Sequence, residues 1–232
     1  MKNGGGVRVA VVLAIAAASA FIALTVAVTT SWGPLIGLDR AVADGANTYA
    51  AAHPDWVWAM KVWTNVAGPV VWRVLAVLVG VWLLVRRAVL SAAVTVGAVM
   101  AAWLLATAIK EVIGRARPAV PHPYANPVGM SFPSSHAATS TVAAGVLLLM
   151  ALPLLGGRWR AAASALAVAV PITVGCTRVG LDVHWTSDVV GGWLLGLLIV
   201  AVSYLMLTAA GPHRLRPAGP AGQVDSAGEA SR

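Results

Sequence analysis

Three short polar stretches interrupt an otherwise apolar chain, and together they hold the residue types that phosphate chemistry needs. The first runs Lys110-Glu-Val-Ile-Gly-Arg115-Ala-Arg117-Pro118, the second Phe132-Pro133-Ser134-Ser135-His136, and the third Thr177-Arg178 to His184-Trp-Thr-Ser-Asp188. Lys110, Arg117 and Arg178 are fixed cations, and an arginine fork donates two parallel hydrogen bonds to phosphate oxygens. His184 and Asp188 are four residues apart, so on a helix they share a face. A carboxylate there fixes the imidazole tautomer and leaves the other ring nitrogen free as nucleophile or base. His136 follows Ser134 and Ser135 at the predicted start of a helix, where backbone amides and hydroxyls make an anion seat. Two imidazoles then permit one to attack phosphorus while the other protonates the departing oxygen.

Each residue also has a plainer reading. Lys110 can snorkel from a helix end, Arg178 or Asp188 can form a structural ion pair, and a lone histidine at a helix end is usually structural. The combination, with its spacing, favours a site. Zinc fits poorly, because only His136 and His184 stand close while Lys110, Arg117 and Arg178 repel a metal; no metal and no cofactor is expected. Arg115 and His122 read as loop solvation or headgroup contacts, and Asp182 as a turn residue.

The elements that must position these residues are membrane helices. Of 232 residues, 59% are hydrophobic and 10% charged, which describes a single membrane-embedded domain. The net charge of +8 is spread through short loops with no basic helix, so nucleic acid is not an expected partner. The single Cys176 excludes an internal disulfide and reads as a small buried hydrophobe. Apolar runs at 9–29, 69–85, 89–109, 137–155, 161–179 and 189–208 each approach the length of a bilayer core. The first has a rival reading as a signal peptide, given Ala18-Ser19-Ala20, but apolar sequence continues through Val28 and predicts a retained span. Between the first and second spans, Trp56, Trp58 and Trp63 predict a short helix lying at the membrane interface. The fold class expected is therefore an all-α integral membrane protein: six transmembrane helices in one bundle, over residues 1–210. Residues 211–232, rich in Pro, Gly, Ser and Ala, predict a disordered cytoplasmic tail.

With the N-terminus cytoplasmic, the inner segments hold Lys2, Arg8, Arg86, Arg87, Arg158, Arg160, Arg214 and Arg216. Apart from the three polar stretches, the outer segments hold only Arg40, Lys61 and Arg73. That orientation predicts a multi-pass plasma-membrane protein with both termini inside, and it places all three polar stretches on the extracytoplasmic face.

At these residues the chain resembles the type 2 phosphatidic acid phosphatase family, whose signature is Lys-x6-Arg-Pro, Pro-Ser-Gly-His and Ser-Arg-x5-His-x3-Asp. Lys110 to Pro118 matches the first part fully; Ser135 replaces the glycine of the second, and Thr177 the serine of the third. The resemblance implies metal-independent phosphatase activity on a lipid phosphate or diphosphate. It implies His184 as nucleophile forming a phosphohistidine, Asp188 orienting it, and His136 as general acid. Lys110, Arg117, Ser134 and Arg178 would grip the phosphate, with Ser135 beside them altering pocket fit. The related haloperoxidases share the signature but are soluble, unlike this apolar chain. The expected substrate is an amphiphile among the membrane lipids, with undecaprenyl diphosphate first and phosphatidylglycerophosphate or phosphatidate next. A transporter or flippase for a phosphorylated lipid is the rival, using the same cations for binding alone.

Overall fold

A computed structural model describes residues 4–120, 124–125 and 127–210; His122, Lys2, Arg214, Arg216 and the tail expected at 211–232 lie outside them. The described residues form eight α-helices and no strand. In order they are α1 (Gly4–Thr29), α2 (Gly33–Ala52), α3 (Pro54–Val66), α4 (Pro69–Val85), α5 (Val89–Ile113), α6 (Ser135–Ala151), α7 (Gly157–Gly180) and α8 (Thr186–Ala209). Six helical segments are long and apolar enough to cross a bilayer: α1, the α3–α4 unit Pro54–Val85, α5, α6 with its short 3₁₀ extension to Leu154, α7 and α8.

The stretch before α4 differs from expectation. Instead of one short interfacial helix it folds as two, α2 and α3, divided at His53. Pro54 sets the division, since a proline lacks the amide that a continuing helix needs but suits a first turn. Pro34 and Pro69 open α2 and α4 in the same way. Of the tryptophans expected at the interface, Trp58 is exposed, while Trp56 packs edge-on against Tyr49 with ring centroids 5.4 Å apart. Cys176 is a second difference: it is exposed on the outer side of α7, because the buried face of that helix runs through Pro171, Val174, Gly175 and Arg178.

The bundle is built around α6, the helix with the most continuously buried face, composed of Ala, Ser, Thr and Val with Met150 at its end. Without a hydrophobic drive between helices in lipid, close approach of small residues supplies the contact. On α8, a Cβ at Gly192 would stand 2.6 Å from the Ser134 carbonyl oxygen, and one at Gly196 would stand 2.6 Å from Thr141 Cβ. Only glycine permits that approach, and it sets the starts of α6 and α8 side by side. The Ser134 amide donates to the Asp188 carbonyl at 2.9 Å across the same junction. Buried hydroxyls return to their own helices, as Thr141 does to the Ala137 carbonyl at 2.7 Å and Thr95 to that of Ser91 at 2.7 Å. Large apolar residues such as Leu78, Leu104 and Leu166 point outward, as a lipid-facing surface requires.

At the end of α5, Gly114 adopts the left-handed conformation (φ +63°) and its amide donates back to the Lys110 carbonyl at 2.9 Å. This cap stops the helix one turn past Lys110 and turns the chain toward Arg115 and Arg117. The three polar stretches thus meet at one end of the bundle: the end of α5, the start of α6, and the α7–α8 connection. Arg86 and Arg87, in the turn between α4 and α5, and Arg158 and Arg160, in the first turn of α7, lie at the other ends of these helices.

Candidate active site

The three polar stretches line one cavity of about 500 Å³. Its walls carry Lys110 from α5, Arg117 from the following segment, Ser135 and His136 from α6, Arg178 from α7, and His184 from the α7–α8 connection. Ser134 and Asp188 lie behind that wall, fully buried. Ser134 caps α6 by accepting from the Ala137 amide at 3.4 Å.

His184 is the centre of the arrangement. Its Nδ1 lies 3.2 Å from Asp188 Oδ2, and its Nε2 lies 3.2 Å from Arg117 Nη1. A guanidinium donates and cannot accept, so Nε2 carries the lone pair and the proton sits on Nδ1, facing the carboxylate. The nitrogen that faces the cavity is therefore the unprotonated one. Burial pushes this imidazole down to about 3, against the opposing pull of Asp188 and helped by the positive charges of Lys110 and Arg117. It stays neutral at every ordinary pH.

The cations are held by neutral oxygens. Lys110 donates to the carbonyls of Met130 and Ser131, each at 2.9 Å. Arg117 donates to those of Gly129 at 2.9 Å, Val183 at 2.5 Å and Met130 at 3.1 Å. Arg178 donates from Nη1 to the Thr64 hydroxyl at 2.9 Å, and its buried Nε has no partner among the described residues. Carbonyl and hydroxyl oxygens fix the positions of these side chains without cancelling their charge, so the cavity keeps a positive field for an anion. Among the described residues no three or more His, Cys, Asp or Glu stand together as a metal would need.

Several residues in or beside the site were not assigned to it by sequence reading. Arg115, expected to solvate a loop or meet a headgroup, is instead largely buried, its two terminal nitrogens each 2.7 Å from a carboxylate oxygen, one of Asp188 and one of Asp39. The reason is geometric: the cap at Gly114 turns the chain inward toward the start of α8. Ser131 donates its hydroxyl to Asp188 Oδ2 and lies 3.4 Å from His184 Nδ1. Asp182 does occupy a turn (φ +54°), but its side chain is buried and accepts from Asn47 Nδ2 at 2.9 Å. Burial pushes that carboxyl up to about 6, opposed by the Asn47 hydrogen bond. Arg115, two residues from Arg117, Ser131, just before Phe132, and Asp182, within the third stretch, carried a signal in the sequence; Asp39 and Thr64 stand far upstream, in helices with no motif of their own.

The chain is similar to known proteins in the region that holds this site. Over 99 residues it is 35% identical to phosphatidylglycerophosphatase B of Bacillus subtilis (strain 168), a match covering 41% of this chain and 48% of that protein. The chain thus spans about half the length of that relative. Its fold is similar to the crystal structure of a transmembrane PAP2-type phosphatidylglycerolphosphate phosphatase from Bacillus subtilis, with a TM-score of 0.78 and 24% identity, covering 87% of this chain and 98% of that one. The sequence profile of the PAP2 superfamily matches residues 88–212, more than half of the chain and all three polar stretches. The chain belongs to the PAP2 superfamily.

Proposed function

We propose that the protein is a membrane phosphatase that hydrolyses the phosphate ester or diphosphate of an amphiphilic lipid through a phosphohistidine. The observation that carries this reading is His184 itself, with Nδ1–H directed at Asp188 and the unprotonated Nε2 turned into a cavity walled by Lys110, Arg117 and Arg178. The phosphoryl group enters among the three cations, displacing the contact between Arg117 and Nε2. Nε2 attacks phosphorus as the bond to the leaving oxygen breaks, and His136 gives that oxygen its proton. The cations hold the equatorial oxygens of the transition state. Phosphorylation at Nε2 makes the ring cationic, and the buried carboxylate of Asp188 stabilises it. Water then attacks phosphorus, His136 takes its proton, and inorganic phosphate leaves.

The substrate reading follows from the site and from the named relative. A phosphate on a lipid reaches a cavity at the end of a helical bundle while its chains stay among the helices. The name of the partial relative supports phosphatidylglycerophosphate, whereas the compact outer loops support undecaprenyl diphosphate, whose headgroup is the plainer of the two; phosphatidate is third. The arginine distribution supports an extracytoplasmic site with cytoplasmic termini. The test is phosphate release by the purified protein, in chelator, from each of these three lipids, beside His184→Ala. The reading predicts release from at least one lipid, inhibition by vanadate, and loss of release in the variant with lipid binding retained. Full dependence on added magnesium or zinc, or release undiminished in His184→Ala, overturns the mechanism. Lipid binding with no release by the unaltered protein favours the transporter reading.

A further inference from the structure

The back of the nucleophile is tied to a helix that the motifs do not include. Asp188 Oδ1 accepts from Arg115 Nη1 at 2.7 Å, and the other terminal nitrogen of Arg115 donates to Asp39 Oδ2 at 2.7 Å. Asp39, 1% exposed, belongs to α2. Its carboxylate also accepts from the Ser187 amide at 2.9 Å and the Ser187 hydroxyl at 2.5 Å, in the first turn of α8. An anion is favoured at a helix N-terminus, and here it is supplied by another part of the chain.

We propose that Asp39 and Arg115 are positioning residues of the reaction, forming with Ser187 a clamp that fixes the Asp188 carboxylate behind His184. Asp188 Oδ2 takes the Ser131 hydroxyl and the Trp185 amide in addition to facing His184. Arg115 holds the other oxygen, so the carboxylate cannot turn about its bond to Cβ. The guanidinium does this as lysine could not, because its fork spans two carboxylates and a hydroxyl at once. Neither Asp39 nor Arg115 lines the cavity, so neither touches the phosphate. The clamp thus acts on the attack step and leaves substrate binding alone.

This inference rests on His184 being the nucleophile, and the experiment separates the two. Phosphate release is measured, from whichever of phosphatidylglycerophosphate, undecaprenyl diphosphate and phosphatidate the unaltered protein hydrolyses fastest, on the purified full chain for the unaltered protein, His184→Ala, Asp39→Asn, Arg115→Gln and the double variant Asp39→Asn/Arg115→Gln. Expected are falls in kcat of about 10-fold for Asp39→Asn and about 100-fold for Arg115→Gln, the range found when a supporting hydrogen-bond partner is lost. KM and the inhibition constant of vanadate stay within about threefold. The double variant is no worse than Arg115→Gln, because the two residues act through one contact. If His184→Ala is inactive while Arg115→Gln and Asp39→Asn keep near-normal kcat, the clamp is refuted and the nucleophile stands. If His184→Ala retains activity, the nucleophile reading fails first. Should Arg115→Gln not fold, Asp39→Asn alone decides: a fall in kcat at constant KM supports the clamp, and parallel changes in both constants or none in either overturn it.

Discussion

The two sides of His184 are built differently. On the cavity side, Arg117 and Lys110 rest on carbonyl oxygens and keep their charge, and the Arg178 Nε has no partner among the described residues. On the far side, Asp188 accepts from Arg115, Ser131 and the Trp185 amide as well as facing the ring, and Arg115 is itself neutralised by Asp39. The first side is arranged to exchange partners when an anion arrives, and the second to keep the ones it has. Buried polar networks are stabilising only when every member is satisfied, which the far side achieves and the near side leaves to a ligand.

The difference can be broken from either side. The largest effect is expected for Asp188→Asn, which keeps the volume but offers the ring an amide in place of a carboxylate. The tautomer that exposes Nε2 is no longer enforced, and kcat falls by about ten-thousand-fold, the cost known for losing such a carboxylate behind a catalytic imidazole. Single-turnover kinetics will show whether the loss is in attack, with vanadate affinity retained. On the near side, Arg117→Lys keeps the charge and removes the fork. Its expected effect is a rise in KM and in the vanadate inhibition constant of about 10-fold, the scale of one lost charge-assisted hydrogen bond; a variant that loses kcat alone would erase the distinction between the two sides.

The smallest effect concerns stability at Asp182, next to the site but outside it. Its carboxyl is raised to about 6 in the fold, above the ordinary value of about 3.9. The folded protein therefore binds more protons than the unfolded chain between these values, and stability falls as pH rises through about 6. Asp182→Asn keeps a polar partner for Asn47 and tolerates the positive φ. Unfolding temperatures measured at about pH 4 and about pH 7 should show the unaltered protein losing ground to the variant at the higher pH. An equal difference at both pH values would remove the claim.

The spans and the near side of the site were legible in the sequence for separate reasons. A helix must be about 20 apolar residues long to cross a bilayer, so α5, α6, α7 and α8 announce themselves by length. Lys110, Arg117, His136, Arg178 and His184 stand at helix ends in short motifs, where polar residues are conspicuous against apolar neighbours. Asp188 was legible from its spacing to His184, but the rest of the far side was not, because its contacts join residues with no local pattern. Asp39 lies 148 residues before its partner Ser187, and only the packing of α2 against the start of α8 makes the pair. The division of α2 from α3 at His53 was missed because the Ala-rich stretch there lacks the apolar length of a span, although Pro54 marked the boundary. Cys176 was misplaced because composition reports that a helix is apolar and not which way each residue faces.

The carboxylate of Asp39 already occupies the start of α8, while the start of α6 is capped by the neutral Ser134. One of two neighbouring helix ends is thus furnished with its own negative charge, and the other turns toward the cavity with His136 in its first turn. In the proposed reaction, an arriving phosphoryl group meets repulsion at one and welcome at the other, which gives it a single way round: His184 beside the filled end attacks, and His136 on the vacant end faces the oxygen that leaves.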